Sequence, residues 1–107
     1  MLAVSALRKS MPYRLTITGD GIRPGELDAA RRTYIETLRT RLGDDAAIAR
    51  HFRAWERCAV ALYDGASRSP ADEADAKAYL AATREAEFAA AECMPDAVFL
   101  NFDFEVC

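Results

Sequence analysis

The feature that most constrains this chain is its last apolar segment, residues 97–106, with the sequence AVFLNFDFEV. Successive side chains of a strand point to opposite faces of a sheet, so an alternating segment predicts a strand with one apolar face. The predicted apolar face carries Val98, Leu100, Phe102, Phe104 and Val106. The other face carries Asn101, Asp103 and Glu105, with Phe99 as the one apolar exception. Such a strand needs a layer of other elements to cover its apolar face.

A shorter alternation over residues 13–18 predicts a second, half-buried strand near the start of the chain. Three glycines follow within residues 19–25, and glycines between a strand and a helix are typical of phosphate-binding loops. Asp20 within this loop would repel a phosphate. The second strand that a dinucleotide-binding unit needs about 20 residues later is also missing from the pattern. We therefore interpret residues 19–25 as a turn.

Three helices are predicted between the two strands, because apolar residues recur there at the spacing of a helical stripe. The first is predicted over residues 24–42, with Pro24 in its first turn and Gly43 ending it. The second is predicted over residues 46–63, with Asp44 or Asp45 as its N-cap. The third is predicted over residues 70–93, with Ser69 as its N-cap.

This order predicts a small two-layer α+β domain, β-α-α-α-β, in which the terminal strands form a small sheet packed on three helices. We predict a single domain over residues 1–107. Parallel and antiparallel pairing of the strands both stay open. Residues 1–10 are interpreted either as a poorly ordered extension preceding a start at Met11, or as an extra edge strand. A two-stranded sheet has open edges, so homodimerisation through strand edges is a further hypothesis.

The composition argues against several classes of function. The chain has 107 residues, a net charge of -3 and a pI of about 5.1, which gives no general attraction to nucleic acid or anionic membranes. Residues 1–10 lack the pattern of a secretory signal, and no apolar run approaches the roughly 18 residues of a membrane span. Three distant cysteines favour a reducing cytoplasm over a disulfide framework. His51 is the only histidine and is interpreted as structural, so we predict no catalytic residue, metal or cofactor.

Charge is distributed unevenly along the chain. Residues 1–57 carry 11 basic and 7 acidic side chains, whereas residues 58–107 carry 3 basic and 10 acidic ones. Our main interpretation is that the two halves complement each other within one fold. The alternatives are an acidic surface that meets a basic partner, or a basic surface that meets nucleic acid through Arg50, Arg53 and Arg57 on the second helix.

Two positions depart from the simple helical stripes. Arg31 falls inside the apolar stripe of the first helix. Either its side chain extends to the edge of the helix and keeps the charge in solvent, or it pairs with a carboxylate of the third helix, Asp75 or Asp72. The structural ion pair is our main prediction. The third helix has two apolar sides, and we predict that Leu80 and Phe88 on its second side are buried. If they are exposed instead, they mark a surface for a partner.

The hypothesis for function is a non-catalytic protein-binding module that acts through a protein–protein interface. The abundance of alanine and of arginine over lysine, 12 to 2, is typical of a bacterium, a phage or a mobile element. Small inhibitors or adaptors of that origin include anti-CRISPR proteins and toxin-immunity proteins. The predicted partner-binding residues are Asn101, Asp103, Glu105, Glu85 and Glu92. The alternatives are a nucleic-acid-binding accessory protein that uses the arginines of the second helix, or a small ligand-binding or enzyme domain.

Overall fold

The computed structural model describes residues 12–64 and 69–107, and its elements follow the predicted β-α-α-α-β order of an α+β fold. The predicted extra strand and the question of Met11 lie outside these residues. The elements are β1 (Tyr13–Asp20), α1 (Glu26–Leu42), α2 (Asp45–Asp64), α3 (Pro70–Glu92) and β2 (Val98–Val106). No helix within the described part of the chain is long and apolar enough to cross a membrane.

β1 and β2 form a two-stranded antiparallel sheet. Its register places apolar residues opposite apolar ones on the inner face: Tyr13 with Val106, Leu15 with Phe104, and Ile17 with Phe102. Polar residues oppose each other on the outer face: Arg14 with Glu105, Thr16 with Asp103, and Thr18 with Asn101. A slip of one residue would turn every apolar side chain outward, so the alternation in the sequence determines this register.

The antiparallel direction follows from the way the helices are connected. α1 and α2 both run antiparallel to α3, since Arg41 reaches Glu85 and Thr33 reaches Cys93, while Arg57 reaches Asp72. α1 therefore packs along the C-terminal part of α3, and α2 follows it in the same direction along the N-terminal part. In an up-and-down arrangement of three helices the chain would reverse direction between α1 and α2, but here these two helices run in the same direction. The second strand consequently returns antiparallel to the first.

Local signals in the sequence account for most helix ends. The Ser69 hydroxyl accepts a hydrogen bond of 3.0 Å from the Asp72 amide, and Asp44 accepts one of 2.9 Å from the Ala47 amide, which confirms both predicted caps. The predicted start of the first helix at Pro24 is wrong. Gly25 takes a φ of 88°, a left-handed conformation that favours glycine, and α1 begins after it at Glu26.

The core lies between the inner face of the sheet and the helices. Phe104 is at its centre, with ring centroids 5.8–6.4 Å from those of Tyr13, Tyr34, Phe52 and Tyr79. Small buried residues of α3 allow the neighbouring helices to pack closely: Ala76, Ala82, Ala86 and Ala90. The inner face of β2 is thus fixed by packing from several elements, which also fixes where its outer face points.

Ion pairs join the basic first half of the chain to the acidic second half. Among residues 12–64 and 69–107, five arginines before residue 58 pair with acids after it: Arg14–Glu105, Arg23–Asp96, Arg41–Glu85, Arg50–Asp75 and Arg57–Asp72. The prediction that the two halves complement each other within the fold is confirmed. Five acids of the second half therefore have an arginine of the first half beside them.

Candidate protein-binding surface

The outer sheet face is formed by the outward side chains of both strands, namely Arg14, Thr16, Thr18, Asn101, Asp103 and Glu105. All six are exposed, because helices cover only the inner face of the sheet. Three of the five predicted partner-binding residues, Asn101, Asp103 and Glu105, are neighbours in this row. Alternate residues of a strand are about 6.6 Å apart, so the row presents polar groups at regular spacing.

The two carboxylates of this row differ in their surroundings. Glu105 accepts a hydrogen bond from Arg14 on the facing strand, with 3.2 Å between Nη2 and Oε1. Both side chains are at least half exposed, and an ion pair of this kind contributes little stability. Asp103 faces Thr16, and no cationic side chain in the described ranges lies within ion-pair distance of it. Asp103 therefore presents an uncompensated charge to solvent.

The other two predicted partner-binding residues, Glu85 and Glu92, lie on α3 away from the outer sheet face. Glu85 accepts a hydrogen bond of 2.8 Å from Arg41 of α1, and this bond lowers the pKa of the Glu85 carboxyl. Glu92 is exposed two turns further along the same side of the helix. The structure thus divides the predicted partner-binding residues into the row on β2 and a separate pair on α3. Within that pair, Glu85 forms an ion pair with Arg41.

The arginines of α2 are partly engaged within the molecule. Arg57 donates two hydrogen bonds, of 2.9 and 2.8 Å, to the Asp72 carboxylate, which lowers the pKa of that carboxyl. Nε of Arg50 lies 3.6 Å from Oδ2 of Asp75. Arg53 is exposed and has no ion pair within the described part of the chain. The basic face proposed for nucleic acid therefore keeps one uncompensated arginine out of three.

The predicted ion pair between Arg31 and Asp75 is wrong. Asp75 lies beside Arg50 and His51 of α2, and Arg31 is exposed on α1. The reason is the order of packing along α3: the first half of α1 meets the C-terminal end of α3, where Thr33 contacts Cys93. Asp75 is roughly 27 Å away along the helix axis. Arg31 also lies outside the buried stripe of α1, which consists of Ala30, Tyr34 and Leu38.

His51 is buried, and both ring nitrogens face groups of the protein itself. Nδ1 lies 2.7 Å from the carbonyl oxygen of Ala47, and Nε2 lies 3.6 Å from Oδ1 of Asp75. These contacts agree with the structural role predicted for His51. Among residues 12–64 and 69–107, no three or more His, Cys, Asp or Glu side chains are grouped so that they could hold a metal ion.

The glycine loop is packed against the segment that leads into β2. A side chain at Gly21 would place its Cβ 2.9 Å from the carbonyl oxygen of Asp96, and the φ of Gly21 is 82°. Close approach and backbone conformation therefore both explain glycine at this position. Across the same loop, Arg23 pairs with Asp96 at 2.6 Å. β1 extends to Asp20, so the turn occupies residues 21–25, two residues shorter than the predicted turn over residues 19–25.

Large apolar side chains are exposed where burial was predicted. Leu80 is 49% exposed and Phe88 is 70% exposed, so the predicted burial of the second apolar side of α3 is wrong. Leu80 lines an open apolar depression beside Trp55 and Leu62 of α2, whereas Phe88 lies beside the edge of β2, and neither element covers these side chains fully. Phe99 is 84% exposed and has a φ of 56°, where β2 gains an extra residue opposite Gly19. The apolar exception in the alternation therefore marks a β-bulge.

A shallow apolar depression, called here the β2 groove, lies between α3 and β2. It has a volume of about 300 Å³ and is lined by Arg84, Glu87, Phe88, Ala91, Leu100 and Phe102. Burial raises the pKa of the Glu87 carboxyl, and the neighbouring Arg84 opposes that shift. Sequence reasoning missed this groove, because it forms only where the second apolar side of α3 meets the edge of β2.

Comparisons of the chain with protein-family models, with curated proteins and with solved structures found no match. What the protein binds must therefore be inferred from the chemistry of its own surfaces. Two of these lie side by side on β2: the acidic outer sheet face and the apolar β2 groove.

Proposed function

We propose that this protein is a non-catalytic protein-binding module whose outer sheet face engages a basic surface of a partner protein. The observation that supports this proposal most strongly is the exposed row of Asn101, Asp103 and Glu105, in which Asp103 has no cationic partner within the described residues. Elsewhere in the fold, acids of the second half of the chain meet arginines of the first half. A carboxylate left without such a partner is available to a cation of another molecule.

The rigidity of the row adds to this argument. Phe102 and Phe104 alternate with the three polar residues and are held by the core, so the polar side chains start from a fixed backbone. A preorganised surface loses less conformational entropy on binding than a loop does. Complementary charge also accelerates the encounter of two proteins and disfavours partners of the wrong sign.

The setting proposed is the cytoplasm of a bacterium, where the protein acts as a small inhibitor or adaptor encoded by the bacterium, a phage or a mobile element. Inhibitors of the anti-CRISPR type and toxin-immunity proteins are the classes of this size and charge that we consider. Cys58, Cys93 and Cys107 are all free thiols, which suits a reducing compartment. An acidic row fits either class, because nucleases and nucleic-acid-binding effectors carry basic surfaces.

The test is a capture experiment from a lysate of the bacterium that carries the gene. The baits are the wild type, the double variant Asp103→Lys with Glu105→Lys, and the matched control Glu36→Lys. Glu36 is an exposed acid on α1, away from the sheet. We expect the wild type and the control to retain the same partner and the double variant to lose it. A partner retained equally by all three baits would contradict the proposal.

Binding of nucleic acid through α2 is the alternative, and the pairing of Arg50 and Arg57 with acids of α3 argues against it. A gel shift at low salt with single- and double-stranded DNA and RNA separates the two functions. We expect no complex, since phosphate binding depends on uncompensated arginines and lysines. A complex that weakens steeply with salt and is lost on Arg53→Ala would favour the alternative.

A further inference from the structure

The outer edge of β2 has no partner strand within residues 12–64 and 69–107, since β2 pairs with β1 along its other edge only. An edge strand offers unpaired N–H and C=O groups, and proteins usually protect such edges with lysine, proline or an inward-pointing charge. Val98–Val106 contains no lysine and no proline, and its inward residues are all apolar. The bulge at Phe99 disturbs only the start of this edge, so the part from Leu100 to Val106 is a template for another strand.

The register identifies the backbone groups that point to this free edge. The Cys107 amide donates a hydrogen bond of 2.9 Å to the carbonyl oxygen of Pro12, so this pair is one of the hydrogen-bonded pairs of the ladder. Such pairs alternate along antiparallel strands, so Glu105 and Asp103 also bond to β1. The N–H and C=O groups of Phe102 and Phe104 point away from β1, toward the free edge.

The β2 groove supplies an apolar floor along the same edge. It is lined only by residues of α3 and β2, and none of β1, α1 or α2 closes it. Phe88 stands at 70% exposure beside Leu100 and Phe102, which are only partly buried. A strand added to β2 would place every second side chain over this floor and so cover Phe88.

Charge determines the side chains that such a strand would carry on its other face. They would lie beside Asn101, Asp103 and Glu105, and opposite charges across neighbouring strands are favourable while like charges are not. A second copy of β2 would bring a further Asp103 and Glu105 against the same acidic row. An alternation of apolar and basic residues fits both faces of the edge, whereas a second copy of this chain does not.

We propose that an extended segment of a partner protein, with alternating apolar and basic side chains, adds to the free edge of β2 as a third strand of the sheet. Its apolar side chains occupy the β2 groove over Phe88, and its basic side chains meet the carboxylates of Asp103 and Glu105. Its backbone bonds to the free N–H and C=O groups of Phe102 and Phe104. This inference rests on the proposed function and specifies the partner's chemistry and its mode of binding.

The experiment uses a synthetic seven-residue peptide of alternating lysine and valine, blocked at both ends. Its controls are the same peptide with glutamate in place of lysine, and the lysine peptide with a central proline. Amide hydrogen exchange is followed by NMR on the full-length protein. We expect saturating lysine peptide to slow exchange at Phe102 and Phe104 by about tenfold or more, while the amides of Asp103 and Glu105 are protected from the start. The control peptides should leave exchange unchanged.

Two variants locate the binding to the groove. Phe88→Ala should weaken the lysine peptide by about fivefold or more, because the exposed aromatic ring is the largest apolar contact. Leu80→Ala changes another exposed apolar residue of α3, outside the β2 groove, and should leave the affinity unchanged. Equal effects of the two variants would contradict the proposed position of the strand.

The remaining outcomes separate this inference from the proposed function. If the lysine peptide did not slow amide exchange at Phe102 and Phe104, the proposal of a third strand would be overturned. If the double variant Asp103→Lys with Glu105→Lys nonetheless abolished capture of a partner, the proposed function would stand, but without strand addition as its mode of binding. Protection that grows with protein concentration in the absence of peptide, together with a dimer in sedimentation, would also overturn the inference. That result would assign the edge to a second copy of this chain.

Discussion

Acids at the start of α3 and acids on β2 have opposite surroundings. Asp72 and Asp75 face arginines of α2 at 2.8 and 3.6 Å. Asp103 faces a threonine, and Glu105 has an exposed pair with Arg14. Both groups belong to the acidic half of the chain, so charge in the sequence does not distinguish them. The comparison shows that acidic composition alone does not identify a candidate binding site. The informative carboxylates are those that have no cationic partner in the fold.

The largest expected effect separates the two faces of β2. Phe104 is 8% exposed and packs against four aromatic rings, so Phe104→Ala should lower the free energy of unfolding by about 3–5 kcal/mol. The adjacent change Asp103→Ala should alter it by less than about 0.5 kcal/mol, as is usual at exposed positions. Urea unfolding followed by circular dichroism measures both values. A large loss from Asp103→Ala would mean that the outer sheet face is structural.

The next effect concerns the start of α3, where Asp72 and Asp75 are paired with arginines of α2. Ser69→Ala removes the hydroxyl that accepts a hydrogen bond of 3.0 Å from the Asp72 amide. This change should destabilise the protein by about 1 kcal/mol. Ser69→Asp restores an acceptor and should recover most of that loss. The two variants are compared by thermal unfolding. Equal melting temperatures for the wild type and Ser69→Ala would mean that the cap does not stabilise this end of α3.

A smaller effect, with the opposite sign, is expected at the bulge of β2. Phe99 holds a φ of 56° with 84% of its surface exposed, so its ring contributes little packing. Phe99→Gly should remove the backbone strain and stabilise the fold by up to about 1 kcal/mol. Phe99→Ala keeps the strain and should give no such gain. Destabilisation by both changes in denaturant titrations would show that the ring packs after all.

The smallest effect concerns the ion pair between Asp72 and Arg57. The hydrogen bonds from Arg57 lower the pKa of the Asp72 carboxyl below its ordinary value of 3.8. A carboxyl with a lowered pKa stabilises the folded state above the unfolded pKa and loses that contribution as the pH falls through the folded pKa. Asp72→Asn should therefore lower stability slightly at neutral pH and not at all in strong acid. Melting temperatures across pH 2–7 test this, and an equal difference throughout would contradict it.

Much of the fold could be predicted because its signals are local. The alternation in residues 97–106 predicted that Leu100, Phe102, Phe104 and Val106 pack on the core, although Val98 at the start of the strand is exposed. It also placed Asn101, Asp103 and Glu105 together on the outer face. Ser69 capped α3 as predicted, since an N-cap depends on neighbours within three residues. The outer sheet face could thus be derived from the period of a strand alone.

The remaining features depend on which helix packs against which, and no local pattern encodes that. α1 and α2 follow each other along α3, so the strands became antiparallel and Asp75 met Arg50 rather than Arg31. The same packing left Phe88 exposed beside β2 and gave Glu85 an arginine of α1. Hydrophobic periodicity predicts that a side of a helix is apolar, but it does not predict whether another element covers it.

The measurement that tests the central claim most directly is the dissociation constant of the captured partner for three purified proteins. These are the wild type, Asp103→Lys with Glu105→Lys, and Glu36→Lys. If the outer sheet face binds the partner, the double variant should weaken binding by about 100-fold or more, because two favourable charges become repulsive. The control should stay within about threefold of the wild type. Equal dissociation constants for all three proteins would contradict the claim that these uncompensated acids form the binding surface.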